Sequence, residues 1–182
     1  MNKNHIVLKI FKSIFALYYL AIAIIIFIFL NNPNFVNTHS YFASLVLAGS
    51  IPHLVIYFMN NGFRSAQKSG FLIVGIVGVA LGFIFEFSET MTINQICMYW
   101  GILDICRGAI EISDTLPHLK HNKLEIIELV VSTGDIALGI LLCIHLEEGI
   151  KLHLTYFAIA FVLYAVKMVI EYIFQKIKVQ NV

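Results

Sequence analysis

Six apolar stretches, separated by polar breaks whose basic residues fall almost entirely in alternate breaks, constrain this chain more than any other feature. They run roughly over 12–30, 41–59, 70–88, 94–116, 124–146 and 152–175. As helices rising about 1.5 Å per residue, each can cross a hydrocarbon layer about 30 Å thick. With the N-terminus placed in the cytoplasm, nine of the 12 Lys and Arg residues fall on the inner side: Lys3, Lys9, Lys12, Arg64, Lys68, Lys120, Lys123, Lys176 and Lys178. Lys151 alone falls outside, and Arg107 and Lys167 sit within helices. That asymmetry is what the positive-inside rule predicts for an even number of crossings with both termini cytoplasmic.

Composition agrees, since 59% of the 182 residues are apolar, more than a soluble domain of this size needs for its core. The formal charge of +1 conceals a basic inner edge and outer loops carrying Glu86, Glu89, Glu147 and Glu148. No basic stripe with interleaved aromatics tracks phosphates, which argues against nucleic acid as a partner. The inner basic residues suit anionic headgroups, so the first partner is the lipid bilayer. The run from Ile14 to Leu30 ends in Asn31-Asn32-Pro33-Asn34 rather than a small-residue cleavage site, and reads as a membrane helix rather than a signal peptide.

The chain also carries an internal repeat. Tyr41-Phe42-Ala43, Tyr99-Trp100-Gly101 and Tyr156-Phe157-Ala158 open the even-numbered helices, and each small residue is followed seven positions on by another: Ser50, Gly108 and Ala165. Ala80-Leu81-Gly82 and Ala137-Leu138-Gly139 lie 57 residues apart in the odd-numbered helices. The unit is a helical hairpin used three times, over about 12–59, 70–116 and 124–175. Small residues, with Gly78-x-x-x-Gly82 the plainest case, let helix backbones approach closely in lipid. The expected fold is all-α: a single domain over 1–182, an integral membrane bundle of six transmembrane helices built as three hairpins about a pseudo-threefold axis.

In this arrangement the chain resembles the HdeD-like acid-resistance membrane proteins of bacteria, through Gly78-Val79-Ala80-Leu81-Gly82, Tyr99-Trp100-Gly101-Ile102-Leu103 and Ser132-Thr133-Gly134-Asp135-Ile136-Ala137-Leu138-Gly139. The resemblance covers nearly the whole length. The first hairpin departs most, with Ala21-Ile22-Ala23 in place of the glycine pattern. The resemblance implies a bacterial inner-membrane location and a role in acid or stress tolerance, and it brings no catalytic residues.

The chemistry lies in the last three helices. Asp104, Arg107 and Glu111 fall on one stripe of the fourth helix, Glu128, Ser132 and Asp135 on one of the fifth, and Tyr164, Lys167 and Glu171 on one of the sixth. A charge at the bilayer centre costs roughly 2.5–3.5 kcal/mol on insertion scales, so the stripes should face one another or a wet cavity. Asp104–Arg107, Arg107–Glu111 and Lys167–Glu171 have the spacing of structural pairs that join helices. Five acids against two bases equally describe a proton- or cation-binding site. Non-enzymatic proton sensing or buffering leads the functional readings. A small cation- or proton-coupled transporter or channel, and a structural partner of another membrane protein or of a second copy of the chain, are the alternatives.

His39, His145 and His153 fall near the outer face beside Glu89, Glu147 and Glu148, where histidines can report external acidification. His53 follows Pro52, which should kink the second helix and free a carbonyl, so a buried imidazole bonded to backbone is expected there. His118-Leu119-Lys120-His121 lacks a third ligand for a metal, and Cys97, Cys106 and Cys143 form no C-x-x-C. Hydrolase, metalloprotease, P-loop and dinucleotide motifs are absent from the sequence, so no enzyme activity, cofactor or metal is expected.

Overall fold

The computed structural model describes residues 3–32, 39–59, 65–88, 90–119, 123–144 and 150–180, with backbone alone for 3–9, 39–40, 59, 65–69, 118, 123–124 and 171–180. Every regular element among them is helical: α1 (Lys3–Phe29), α2 (His39–Met59), α3 (Ser65–Phe87), α4 (Ile93–Thr115), α5 (Lys123–Ile144) and α6 (Ile150–Gln180), with one 3-10 turn over Leu116–His118. The end helices overrun their apolar stretches, so that positions 3–11 and 176–180 are helical rather than loop.

Five helices contain segments long and apolar enough to cross a membrane: Ile10–Phe29, Tyr41–Phe58, Gly70–Phe87, Glu125–Ile144 and Ile150–Ile170. They mark the chain as a multi-pass membrane protein. Helix α4 matches α3 in length, at 23 residues each, but carries Asp104, Arg107, Glu111 and Asp114. Its ends are defined by local chemistry. At the start, Thr92 and Gln95 form a capping box, each side chain bonding the other's backbone N–H. At the far end, Pro117 follows Leu116 and offers no N–H to continue the ladder, and the chain tightens into the 3-10 turn.

The most extensive packing joins α4 with α5, α2 with α3, and α1 with α6. Each close pair therefore straddles the hairpins named from the sequence. Glycines explain two of these contacts. A methyl group on Gly82 would sit 2.5 Å from Leu47 Cγ, and one on Gly139 would sit 2.8 Å from Ile105 Cγ1. Leu47 and Ile105 are 58 residues apart, and Gly82 and Gly139 are 57 apart, so one packing contact occurs twice. A methyl on Gly78 would collide with the Ser50 hydroxyl, and one on Gly101 would lie 2.6 Å from the Gly139 carbonyl oxygen.

The outward faces are apolar, with Leu17, Ile28, Phe58, Phe87, Val130 and Ile144 all exposed. In lipid this is the solvated face. The centre is aromatic and polar. Trp100, Phe157 and Phe161 stack edge to face or tilted, with Trp100–Phe157 and Phe157–Phe161 centroids 5.3 and 5.0 Å apart. Tyr164 extends this cluster toward the charged residues.

Candidate functional site

Helix α4 places Asp104, Arg107 and Glu111 on its inward face by the three- and four-residue spacing of one stripe, and none of them is more than 3% exposed. Arg107 is the hub. Its Nη2 donates to Asp135 Oδ2 on α5, and its Nε lies 3.4 Å from Glu111 Oε1 one turn along α4. Its Nη1 lies 3.4 Å from His53 Nε2 on α2. The guanidinium carbon sits 3.8 Å from the centroid of the Tyr164 ring on α6, a cation–π contact. One side chain thus ties α4 to three other helices.

Glu111 is held from two further directions. Ser132 on α5 donates to Oε2 at 2.9 Å, and the Lys167 ammonium on α6 pairs with Oε1. Asp104 is held differently. The Tyr164 hydroxyl donates to its Oδ1, while Oδ2 has no hydrogen-bond partner among the described residues. The expected Asp104–Arg107 pair is not among the ion pairs here, because the guanidinium turns toward Asp135 and Glu111 instead. Lys167 reaches across to Glu111, and the side chain of Glu171, its expected partner, lies outside the described residues.

Two helices not expected to contribute also enter the site. His53 and Tyr19 are both fully buried. Nδ1 of His53 lies 2.8 Å from the Gly49 carbonyl oxygen, and the Tyr19 hydroxyl lies 3.1 Å from that oxygen and 2.9 Å from Nδ1. The carbonyl that Pro52 leaves without its helical N–H is that of Ala48, four residues back. Tyr18, not His53, donates to it, at 2.9 Å. The sequence signal for this arrangement is Tyr18-Tyr19 on one helix and Pro52-His53 on the next, and only their meeting gives it meaning.

The remaining candidates divide. Glu128 is buried on α5, as is Glu125 one turn earlier, and Lys12 is buried on α1. Lys12 was expected among the basic residues of the inner edge, but its side chain is buried against the rest of the bundle. His153 was expected near the exposed outer face; its ring is fully buried in α6. The side chain of His39 and all of His145 lie outside the described residues. Among the described residues no group of three His, Cys, Asp or Glu side chains is arranged to hold a metal ion, and Cys97, Cys106 and Cys143 are free thiols.

Chemically, the cluster can hold or exchange a proton. Among its ionisable members Asp104, Glu111 and Asp135 oppose Arg107 and Lys167, a formal excess of one negative charge. Comparison of the chain with family profiles, with curated proteins and with solved structures finds no match.

Proposed function

We propose that this chain is a non-enzymatic membrane protein of the bacterial inner membrane that contributes to acid or stress tolerance by binding protons in its buried polar cluster. The observation that carries this reading is Asp104. It is the cluster carboxyl with no ion pair among the described residues, its second oxygen has no hydrogen-bond donor, and a charge there would be sealed from water. One proton on Asp104 makes the cluster neutral. Tyr19 and Lys12 on α1, His53 on α2, Arg107 and Glu111 on α4, Asp135, Glu125 and Glu128 on α5, and Tyr164, Lys167 and His153 on α6 are among the other buried titratable groups of the bundle.

The same reading makes α4 a sixth crossing, because its three central charged side chains are buried against neighbouring helices rather than presented to lipid. Both termini are then cytoplasmic. The twice-occurring glycine contact supports kinship between the α2–α3 and α4–α5 pairs, and the acid-tolerance role rests on the resemblance noted from sequence.

Infrared difference spectra of the full chain in lipid nanodiscs, taken between neutral and acidic pH, test the assignment. A protonated-carboxyl band should grow on acidification and be missing in Asp104→Asn. A band of undiminished size in that variant overturns the assignment to Asp104. Proteoliposome flux separates buffering from transport: uptake driven by a pH gradient and abolished by Asp135→Asn would make the protein a transporter.

A further inference from the structure

His53 is a buried titratable group to which the preceding reading gives no function. Its two nitrogens are distinguished by their neighbours. The Gly49 carbonyl, 2.8 Å from Nδ1, can only accept, so Nδ1 carries a hydrogen. The guanidinium, 3.4 Å from Nε2, can only donate, so Nε2 presents its lone pair. The ring is therefore neutral in this arrangement, and the packing fixes its tautomer.

The surroundings of the ring are defined on every side. Tyr19 faces it from α1, Phe71 from α3 at 5.7 Å between centroids, Arg107 from α4, and Tyr164 edge-on from α6 at 5.2 Å. The other charged groups reach it through intermediaries: the carboxylates Asp135 and Glu111 through Arg107, Asp104 through Tyr164, and the Lys167 ammonium one step further through Glu111. A proton arriving at Nε2 would place an N–H donor and a positive charge against a group that offers only N–H donors and a positive charge. The two cannot keep their present contact.

We propose that Nε2 of His53 is a second proton-binding site, and that its occupation expels the Arg107 guanidinium from α2. The guanidinium withdraws toward Asp135 and Glu111, where its other nitrogens are already held. Helix α2 then loses the His53–Arg107 contact that links it to the charge network on α4, while Tyr18 and Tyr19 keep α2 tied to α1. The cluster would thus couple acidification to a change in how one helix pair sits against the rest. This deepens the proton-handling reading of the cluster and rests on it.

The chain supplies its own reporter. Trp100 is its single tryptophan, and its ring lies 6.1 Å from that of Tyr164, which stacks on Arg107. The test uses the full chain in lipid nanodiscs with nitrogen-15-labelled histidine, in a variant where His5, His39, His118, His121, His145 and His153 are Gln and only His53 remains. Imidazole nitrogen resonances should show a protonated Nδ1 and a bare Nε2 at neutral pH. On acidification Nε2 should gain its proton in step with a shift in Trp100 emission. The emission shift should be lost in His53→Gln and persist in Asp104→Asn. A bare Nε2 throughout the pH range in which the protein stays folded overturns the proposal, as does an emission shift unchanged in His53→Gln. Should the six-fold variant not fold, the same titration on the native sequence, with His53→Gln subtracting its signal, gives the same decision. A His53 step that survives while Asp104→Asn leaves the infrared band intact would sink the Asp104 assignment alone.

Discussion

The α2–α3 and α4–α5 pairs are built on one packing contact and differ in what they add to it. In both, a glycine receives a branched aliphatic side chain, Leu47 on Gly82 and Ile105 on Gly139. In α2–α3 the next turn places the Ser50 hydroxyl, bonded back to the Val46 carbonyl, beside Gly78. Along α4–α5 the same region holds Arg107, Asp135, Glu111 and Ser132, bonded across the interface. The apolar contact is enough to pair helices, since the first pair manages without interhelical charge. The charges of the second pair are therefore an addition to an interface that packs without them, and so the part to examine for function.

Breaking the charge network should give the largest effect. Arg107→Ala leaves Asp135 and Glu111 buried without their shared cation, and should destabilise the bundle by about 3–5 kcal/mol in steric-trapping unfolding measurements in bicelles. Should it cost no more than Ser50→Ala, the charged pair would have no special standing. The glycine contact comes next. Gly139→Ala drives a methyl to 2.5 Å from the Gly101 carbonyl oxygen, a backbone atom, whereas Gly82→Ala meets the mobile end of Leu47 first. The former should cost about 1–3 kcal/mol by the same measurement, and the latter less. Equal losses would mean that the two pairs tolerate separation alike. The smallest effect belongs to Tyr18→Phe, which removes one hydroxyl from the Ala48 carbonyl and should cost about 0.6 kcal/mol, typical of a hydrogen bond between membrane helices.

Much of this arrangement was legible in the sequence. Hydropathy located six helices, and a three- and four-residue spacing placed Asp104, Arg107, Glu111, Ser132, Asp135, Tyr164 and Lys167 on faces that do converge. Partner choice within that set was less legible. Spacing along one helix favours Arg107 with Asp104, but lateral packing offers Asp135 and Tyr164 at better positions, and local periodicity carries no information about neighbours. Helix pairing was hidden for a related reason. In lipid an apolar residue fits either the core or the outer surface, so the pattern does not say which helix lies beside which. The burial of His53 and its bond to backbone were legible beside Pro52, but its meeting with Tyr19 and Arg107 was not, because it depends on α1, α2 and α4 being brought together. Lys12 was misplaced because a charge at the edge of an apolar stretch looks like a boundary, although the helix continues past it.

The tyrosine bonded at the proline of α2 bears on how the molecule is made. A carbonyl stripped of its N–H partner is costly within acyl chains, so α2 enters the bilayer with a defect it cannot mend alone. The remedy, Tyr18, lies on the helix synthesised just before it and is already waiting when α2 emerges. The first two helices should accordingly meet early in biogenesis, joined by hydroxyl groups rather than by extensive packing, and the later helices assemble around a partner pair that has already found its register.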